Sequence, residues 1–263
     1  MTTVEAICRF LETLAPPRLA EEWDNVGLLV GDPQSAVERV MTCLTVTAES
    51  AAEAAREGAQ LIVTHHPLPF RPLKRITSES SPGRLLLTLI RAGVAVYSAH
   101  TAFDSALRGI NQQLAEGLGV QNAAPLEARL DDPQQLGAGR FGTLPAPTSL
   151  HDFAEQVKRF LHIDGLHLVG DANRPIRRAA FACGSAGQFL TAARHAGCDV
   201  LVTGETSFHT CLEAESENVA LVLPGHFASE RFAMEGLAAT LADEFASLEI
   251  WGSRDERDPL RWA

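Results

Sequence analysis

An α/β fold with mixed sheets flanked by helices is predicted by three features of this 263-residue chain. Short apolar strands alternate with helical segments along most of its length, the pattern of β-α-β units. Residues 121–150 interrupt that alternation with Pro125, Pro133, Pro145, Pro147 and the Gly-rich stretch GAGRFG, and read as a linker or lobe boundary. The third feature is an internal echo. AAREGAQLIVTHH (54–66) resembles AARHAGCDVLVTGE (192–205), and each is followed by a strand with a similar exit, VAVYSAH (94–100) and VALVLPGH (219–226). The echo reads either as a chance match of Ala- and Val-rich segments or as two related lobes, with a period too long for a solenoid.

The elements follow in order. Thr2 and Glu5 have capping-box spacing, and Val4, Ile7, Cys8, Leu11 and Leu14 repeat on one helical face until Pro16 and Pro17 stop it. Gly27 to Val30 is a short apolar strand closed by Gly31-Asp32-Pro33. Val40 to Thr47 reads as a strand, Glu49 to Glu57 as an Ala-rich helix, and Leu61 to Thr64 as a buried strand. A helix over 83–92, a strand over 94–98 and a helix near 107–118 come next. Beyond the irregular stretch, a helix over 150–161 precedes strands near 166–169 and 176–182. A helix over 188–195, strands over 200–203 and 219–223, a helix over 228–241 and a strand over 247–251 complete the chain. This divides it into a first lobe, 1–125, completed by 220–263, and a second lobe, 126–219.

Composition narrows the function classes. The chain is 46% hydrophobic and 21% charged, as an ordinary globular protein is, and its net charge of −11 argues against bulk nucleic-acid binding. The first residues carry Glu5, Arg9 and Glu12 where a signal peptide needs an unbroken apolar run. No apolar run reaches the ~20 residues of a membrane span. Five scattered cysteines without a CxxC pair read as buried reduced thiols, so a cytoplasmic protein is expected.

Four of the nine histidines fall at predicted strand ends: His65, His66, His100 and His226. In open α/β sheets that edge is where ligands bind. Asp104 follows His100 by four residues, and Glu230 follows His226 by four, so each pair shares a face if a helix starts there. Imidazoles with carboxylates suit a divalent transition metal. Adjacent residues of an extended chain point opposite ways, so His65 and His66 both serve as ligands only if the chain bends or each takes a different ion. Pro67 favours a sharp exit after His66. His151, His162, His167 and His195 read as structural or surface residues, while His209, after TGETSF, stays open.

The motifs WDNVGLLVG (23–31), THHPLPF (64–70), SAHTAFD (98–104), GRFGTL (139–144), VTGETSFH (202–209) and GHFASE (225–230) together resemble the GTP cyclohydrolase I type 2 homologue family. These are also known as NIF-three-like dinuclear metal proteins. The resemblance implies a NIF-three-like fold of two related lobes, a metal site at the strand C-terminal ends between them, and a homohexamer. It implies two divalent ions per chain (Zn, Fe, Mn, Co or Ni), with His65, His66, Asp104, His226 and Glu230 as ligands. His100 and Glu230 would move protons, and Asn25, Thr64, Thr101, Glu205 and His209 would line the cavity. The chain lacks the long inserted middle domain of many relatives.

The function so implied is a metal-dependent hydrolase acting on a nucleotide or heterocycle through metal-activated water. No Walker-type loop or GxSxG motif offers another hydrolytic route. The alternative is a non-enzymatic protein that binds or delivers metal, or serves as an adaptor.

Overall fold

Residues 1–261 are described by the structure, a computed structural model. In chain order the elements are α1 (Val4–Leu14), β1 (Gly27–Val30), β2 (Arg39–Cys43), α2 (Ala48–Arg56), β3 (Leu61–Thr64), α3 (Ser81–Ala92), β4 (Ala95–Ser98), α4 (His100–Ser105) and α5 (Ile110–Gly117). There follow β5 (Gln121–Ala124), β6 (Glu127–Ala128), β7 (Gly137–Ala138), β8 (Arg140–Ser149), α6 (Leu150–Leu161), β9 (His167–Val169), β10 (Pro175–Ser185) and α7 (Leu190–His195). The last are β11 (Val200–Glu205), α8 (Phe208–Ser216), β12 (Ala220–Leu223), α9 (His226–Glu244) and β13 (Glu249–Gly252). The chain divides into a first unit, Met1–Phe103 with Ala233–Pro259, and a second built on Asp104–Phe232.

The first unit holds a five-stranded sheet in the order β1-β4-β3-β2-β13. Its β13, β2, β3 and β4 run parallel, and β1 pairs antiparallel with β4. Every residue of β3 and β4 is buried, as expected for parallel strands covered on both faces. Met41, Ile62 and Val96 from the sheet join Leu86 and Leu89 of α3 in one apolar cluster. Each such side chain contributes roughly 1.5–3 kcal/mol on burial.

The second unit holds a six-stranded sheet in the order β5-β8-β10-β11-β12-β9. Here β10, β11 and β12 are parallel, while β9 pairs antiparallel with β12 and β8 with β10. The run β1-β2-β3-β4 therefore has the same pairing as β9-β10-β11-β12: three parallel strands and an antiparallel strand against the last of them. A helix starts at His100 after the first run and at His226 after the second. The echo in the sequence marks a repeated topology.

Four local expectations need correction. The cap of α1 is Thr3, which accepts from the Ala6 amide at 3.3 Å, and not Thr2. β2 stops at Cys43 rather than at Thr47. Leu44 and Thr45 leave the ladder, and Thr47 caps α2 by accepting from Ser50 at 3.2 Å. The stretch 121–150 is no linker but contains β5 to β8. Its prolines are tolerated because the β8–β10 register jumps from Thr143 to Thr148, leaving Pro145 and Pro147 without a ladder partner in β10. The helix expected near 107–118 is α5, while α4 ahead of it and α8, capped by Ser207, lie outside the expected elements. Among the described residues, no helix is long and apolar enough to cross a membrane.

Candidate metal centre

Parallel β2, β3 and β4 end on one edge of their sheet, so the residues after β3 and β4 meet there. β3 ends at Thr64 and the chain bends at His65-His66. The bend is held by backbone bonds from the His65 amide to the Cys43 carbonyl (3.1 Å) and from His66 to Leu44 (2.8 Å). Strand-end hydroxyls serve its carbonyls: Ser98 donates to His65 O at 2.6 Å and Thr64 to His66 O at 3.2 Å. This bend lets two adjacent imidazoles face one place, which an extended chain would not allow. The rings of His65 and His66 lie 5.1 Å apart, centroid to centroid, and His100 stands 5.1 and 5.6 Å from them. One ring nitrogen from each of the three falls within 4.8 Å of the others.

His100 opens α4 at φ +27°, a strained backbone for a non-glycine residue. Asp24 holds it there. Its buried carboxylate accepts from His100 Nδ1 at 2.7 Å, and its second oxygen accepts from the Thr101 amide and hydroxyl. Burial alone would raise the Asp24 pKa, but these hydrogen bonds outweigh it and hold the group at about 2. An ionised carboxylate can only accept, so Nδ1 carries the proton and Nε2 is the atom His100 presents. His100 therefore takes Asp24 as its carboxylate partner, a residue the i, i+4 spacing did not single out. His66 is held in a similar way, its Nδ1 paired with Thr45 Oγ1 at 2.7 Å. Of the two remaining candidates here, Thr64 is buried beneath the bend, and Asn25 is exposed and ties its loop to Pro69 O at 2.9 Å.

The acid limb of stability provides a check on Asp24. A depressed folded-state pKa stabilises the fold above the ordinary value of 3.8, and the contribution is lost as pH falls through about 2. The urea midpoint of the wild type is expected to exceed that of Asp24→Asn at pH 5, with the gap closing between about pH 4 and pH 2. A gap constant across that range would show that Asp24 does not carry this charge.

The second unit carries its own donors. His226 starts α9 with Nδ1 on Glu205 Oε1 at 2.9 Å and Nε2 facing Glu230 Oε2 at 3.2 Å. The i, i+4 pair read from the sequence is thus formed. The bond to Glu230 raises the His226 pKa to about 9, burial opposing it and Glu205 adding to it. Protons and a metal ion compete at such an imidazole. Two glycines allow the close approach. A Cβ on Gly184 (φ +66°) would lie 2.3 Å from Glu230 Oε1, and one on Gly204 would lie 2.5 Å from Ser229 Oγ. Asp104 sits with the buried Cys183 thiol, which donates to Oδ1 at 3.1 Å. Burial, reinforced by the Asp104 and Glu230 charges, keeps that thiol protonated. Asn111 braces both, donating to Asp104 O (3.2 Å) and accepting from Cys183 N (2.8 Å). His209 lies exposed on α8 beside Phe208. His151, His162, His167 and His195 are also exposed.

The donor set is imidazole and carboxylate, with His66, His100 and His226 each tied at Nδ1 by an oxygen. That is the arrangement by which proteins orient a ligating histidine, so these residues fit a divalent transition metal. Asp24, Thr45, Asn111 and Cys183 support these donors, a role the sequence did not assign to them. The WDN motif held the only signal for any of them.

A family model described as Duf34/NIF3 (NGG1p interacting factor 3) matches residues 2–259. The chain belongs to the Duf34/NIF3 family. Among relatives, a Clostridium acetobutylicum protein called "GTP cyclohydrolase 1 type 2 homolog" is 34% identical over 227 residues, 86% of this chain and 85% of that one. The Bacillus cereus protein related to NIF3 superimposes with a TM-score of 0.93 at 24% identity, covering 100% of this chain and 99% of the other. Staphylococcus aureus protein SA1388 gives 0.91 at 26% identity over 100% and 99%. The NIF3-like α/β fold predicted from the motifs is therefore the fold of this chain, and the chain carries candidate His/Glu metal-binding groups.

Proposed function

We propose that this NIF3 family member holds two divalent ions per chain and hydrolyses a nucleotide or heterocycle. The ligand set is His65, His66, Asp104, His226 and Glu230. The observation that carries this reading is the Nδ1 anchoring of His66, His100 and His226, which fixes the orientation of each ring ahead of any ion. Bound divalent ions lower the pKa of water and polarise a substrate oxygen. The chain itself supplies the proton carriers. His100 exchanges a proton at Nε2, and Asp24 stabilises the imidazolium that forms, as the buried carboxylate of a catalytic triad does. Glu230, almost fully buried, is the second proton-carrying group.

The substrate class rests on two further supports. One is the name "GTP cyclohydrolase 1 type 2 homolog" borne by relatives over most of their length. The other is an aromatic surface beside His100. Trp23 and Phe70, 64% and 51% exposed, lie 6.0 and 5.9 Å from that imidazole, and flat rings stack on such faces. The small-molecule substrate and the homohexamer expected from the resemblance stand as proposals beside this one.

Elemental analysis of gently purified protein, repeated after adding divalent ions, tests the centre. The expected result is about two metals per chain, falling to one or none in His66→Ala and in Glu230→Ala. Metal-loaded protein is then assayed with GTP, other nucleotides and cyclic amides. A turnover lost in Glu230→Ala supports the hydrolase. Full metal content with no turnover on any of them, and ready release to a chelator, would replace it with metal delivery. Light scattering decides the hexamer.

A further inference from the structure

A carboxylate near the C-terminus reaches the histidine bend from far along the chain. Glu256 is buried, and its two oxygens accept from adjacent backbone amides, Oε2 from Leu44 (2.9 Å) and Oε1 from Thr45 (2.6 Å). Both of those residues also hold His66. Leu44 O accepts from the His66 amide at 2.8 Å, and Thr45 Oγ1 pairs with His66 Nδ1 at 2.7 Å. Leu44 O also accepts from the Thr64 hydroxyl at 3.1 Å.

Glu256 is itself held firmly. Its amide donates to Ser253 Oγ (3.2 Å), whose hydroxyl donates to Glu53 Oε2 (2.6 Å), while Ser253 N donates to Thr42 O (2.7 Å). Buried Glu53 also accepts from the Trp251 indole and from the Arg254 and Asp255 amides at 3.0–3.1 Å. The segment after β13 is thus stitched to α2 and to the residues that end β2.

We propose that Glu256 is a positioning residue for the metal centre: by clamping the Leu44 and Thr45 amides it sets Thr45 Oγ1 against His66 Nδ1 and directs Nε2 to the ion. This rests on the reading of His66 as a metal ligand. The two adjacent N–H groups take one oxygen each of a carboxylate, a group that when ionised can only accept. Glutamine at 256 keeps the shape but turns an NH₂ against one of the amides. Thr45 then loses its fixed place, and the His66 ring loses its bond.

The test compares wild type with Glu256→Gln, Thr45→Val and Thr45→Ser. Metal-free protein is titrated with Mn(II) and Zn(II) by calorimetry, and the ring ¹⁵N shifts of His66 are read in the metal-free state. The expected result is a Kd raised about 10-fold or more in Glu256→Gln and Thr45→Val, the usual cost of losing an outer-shell partner. Thr45→Ser keeps the hydroxyl and should stay near wild type. In the metal-free protein, His66 should hold its proton at Nδ1, and Glu256→Gln and Thr45→Val should both mix the tautomers. Unchanged affinity and unchanged ring shifts in both variants would overturn the proposal. If wild type binds no metal, the ligand reading of His66 fails, and the ring shifts still decide whether Glu256 orients it. Should Glu256→Gln not fold, Thr45→Val against Thr45→Ser decides the ring contact, and Glu256→Asp, whose shorter carboxylate reaches fewer amides, decides the clamp.

Discussion

Arg140→Met is expected to lower the unfolding free energy by at least about 3 kcal/mol, because it strands several buried acceptors at about 1–3 kcal/mol each. Arg140 is 1% exposed and has all five of its N–H donors engaged. Nη1 donates to Gly137 O (2.8 Å) and Gly139 O (2.6 Å), Nη2 to Ser105 O (3.0 Å) and Ala106 O (2.8 Å), and Nε to Gln112 Oε1 (2.8 Å). Burial lowers its pKa to about 10, so it stays charged at neutral pH. Ser105 is the last residue of α4, where helix carbonyls lack intrahelical donors and the helix dipole is negative. A buried cation is therefore well placed, and the charge of Glu116 favours it further. At about 2–4 °C per kcal/mol for a unit of this size, the melting midpoint should fall by roughly 6–12 °C. Arg140→Lys, with one donor group in place of a planar fork, should fall between the two. A loss below about 1 kcal/mol would mean that the carbonyls are served without this side chain.

Gly184→Ala should reduce metal affinity by about 100-fold, the upper end for an outer-shell change, while leaving the protein folded. The added Cβ would lie 2.3 Å from Glu230 Oε1 and 3.3 Å from its Cδ, so the carboxylate has to move. The positive φ of +66° adds about 1–2 kcal/mol of backbone strain. Calorimetric titration with Mn(II) or Zn(II), alongside a melting curve, separates the two effects. Wild-type affinity in a variant that folds would remove Glu230 from the ligand set, since its carboxylate could not have stayed in place.

Much of the candidate site was legible in the sequence. The HH dipeptide ahead of Pro67 marked a strand exit, and the His226-to-Glu230 interval marked a helix face; both readings rest on local geometry. The same reasoning put Asp104 on the helix face of His100 and gave no sign of Asp24. In the structure His100 bonds Asp24, 76 residues earlier in the chain. Residues 121–150 misled for another reason: proline and glycine density signals broken structure, yet a register jump opposite β10 lets two prolines sit inside β8.

What the sequence by itself determined, then, is whatever repeats at the period of a strand or helix, or within one turn of chain. That covers the α/β alternation, the duplicated strand-helix topology, the strand-end histidines and the family motifs. Only the tertiary structure decided what orients those histidines. Asp24, Thr45 and Glu205 bond His100, His66 and His226 across 76, 21 and 21 residues, and Glu256 reaches Thr45 across 211. Hydrogen bonds of that separation leave no periodic trace. They form because, in each unit, parallel strands end together and gather residues distant in sequence onto one edge of their own sheet.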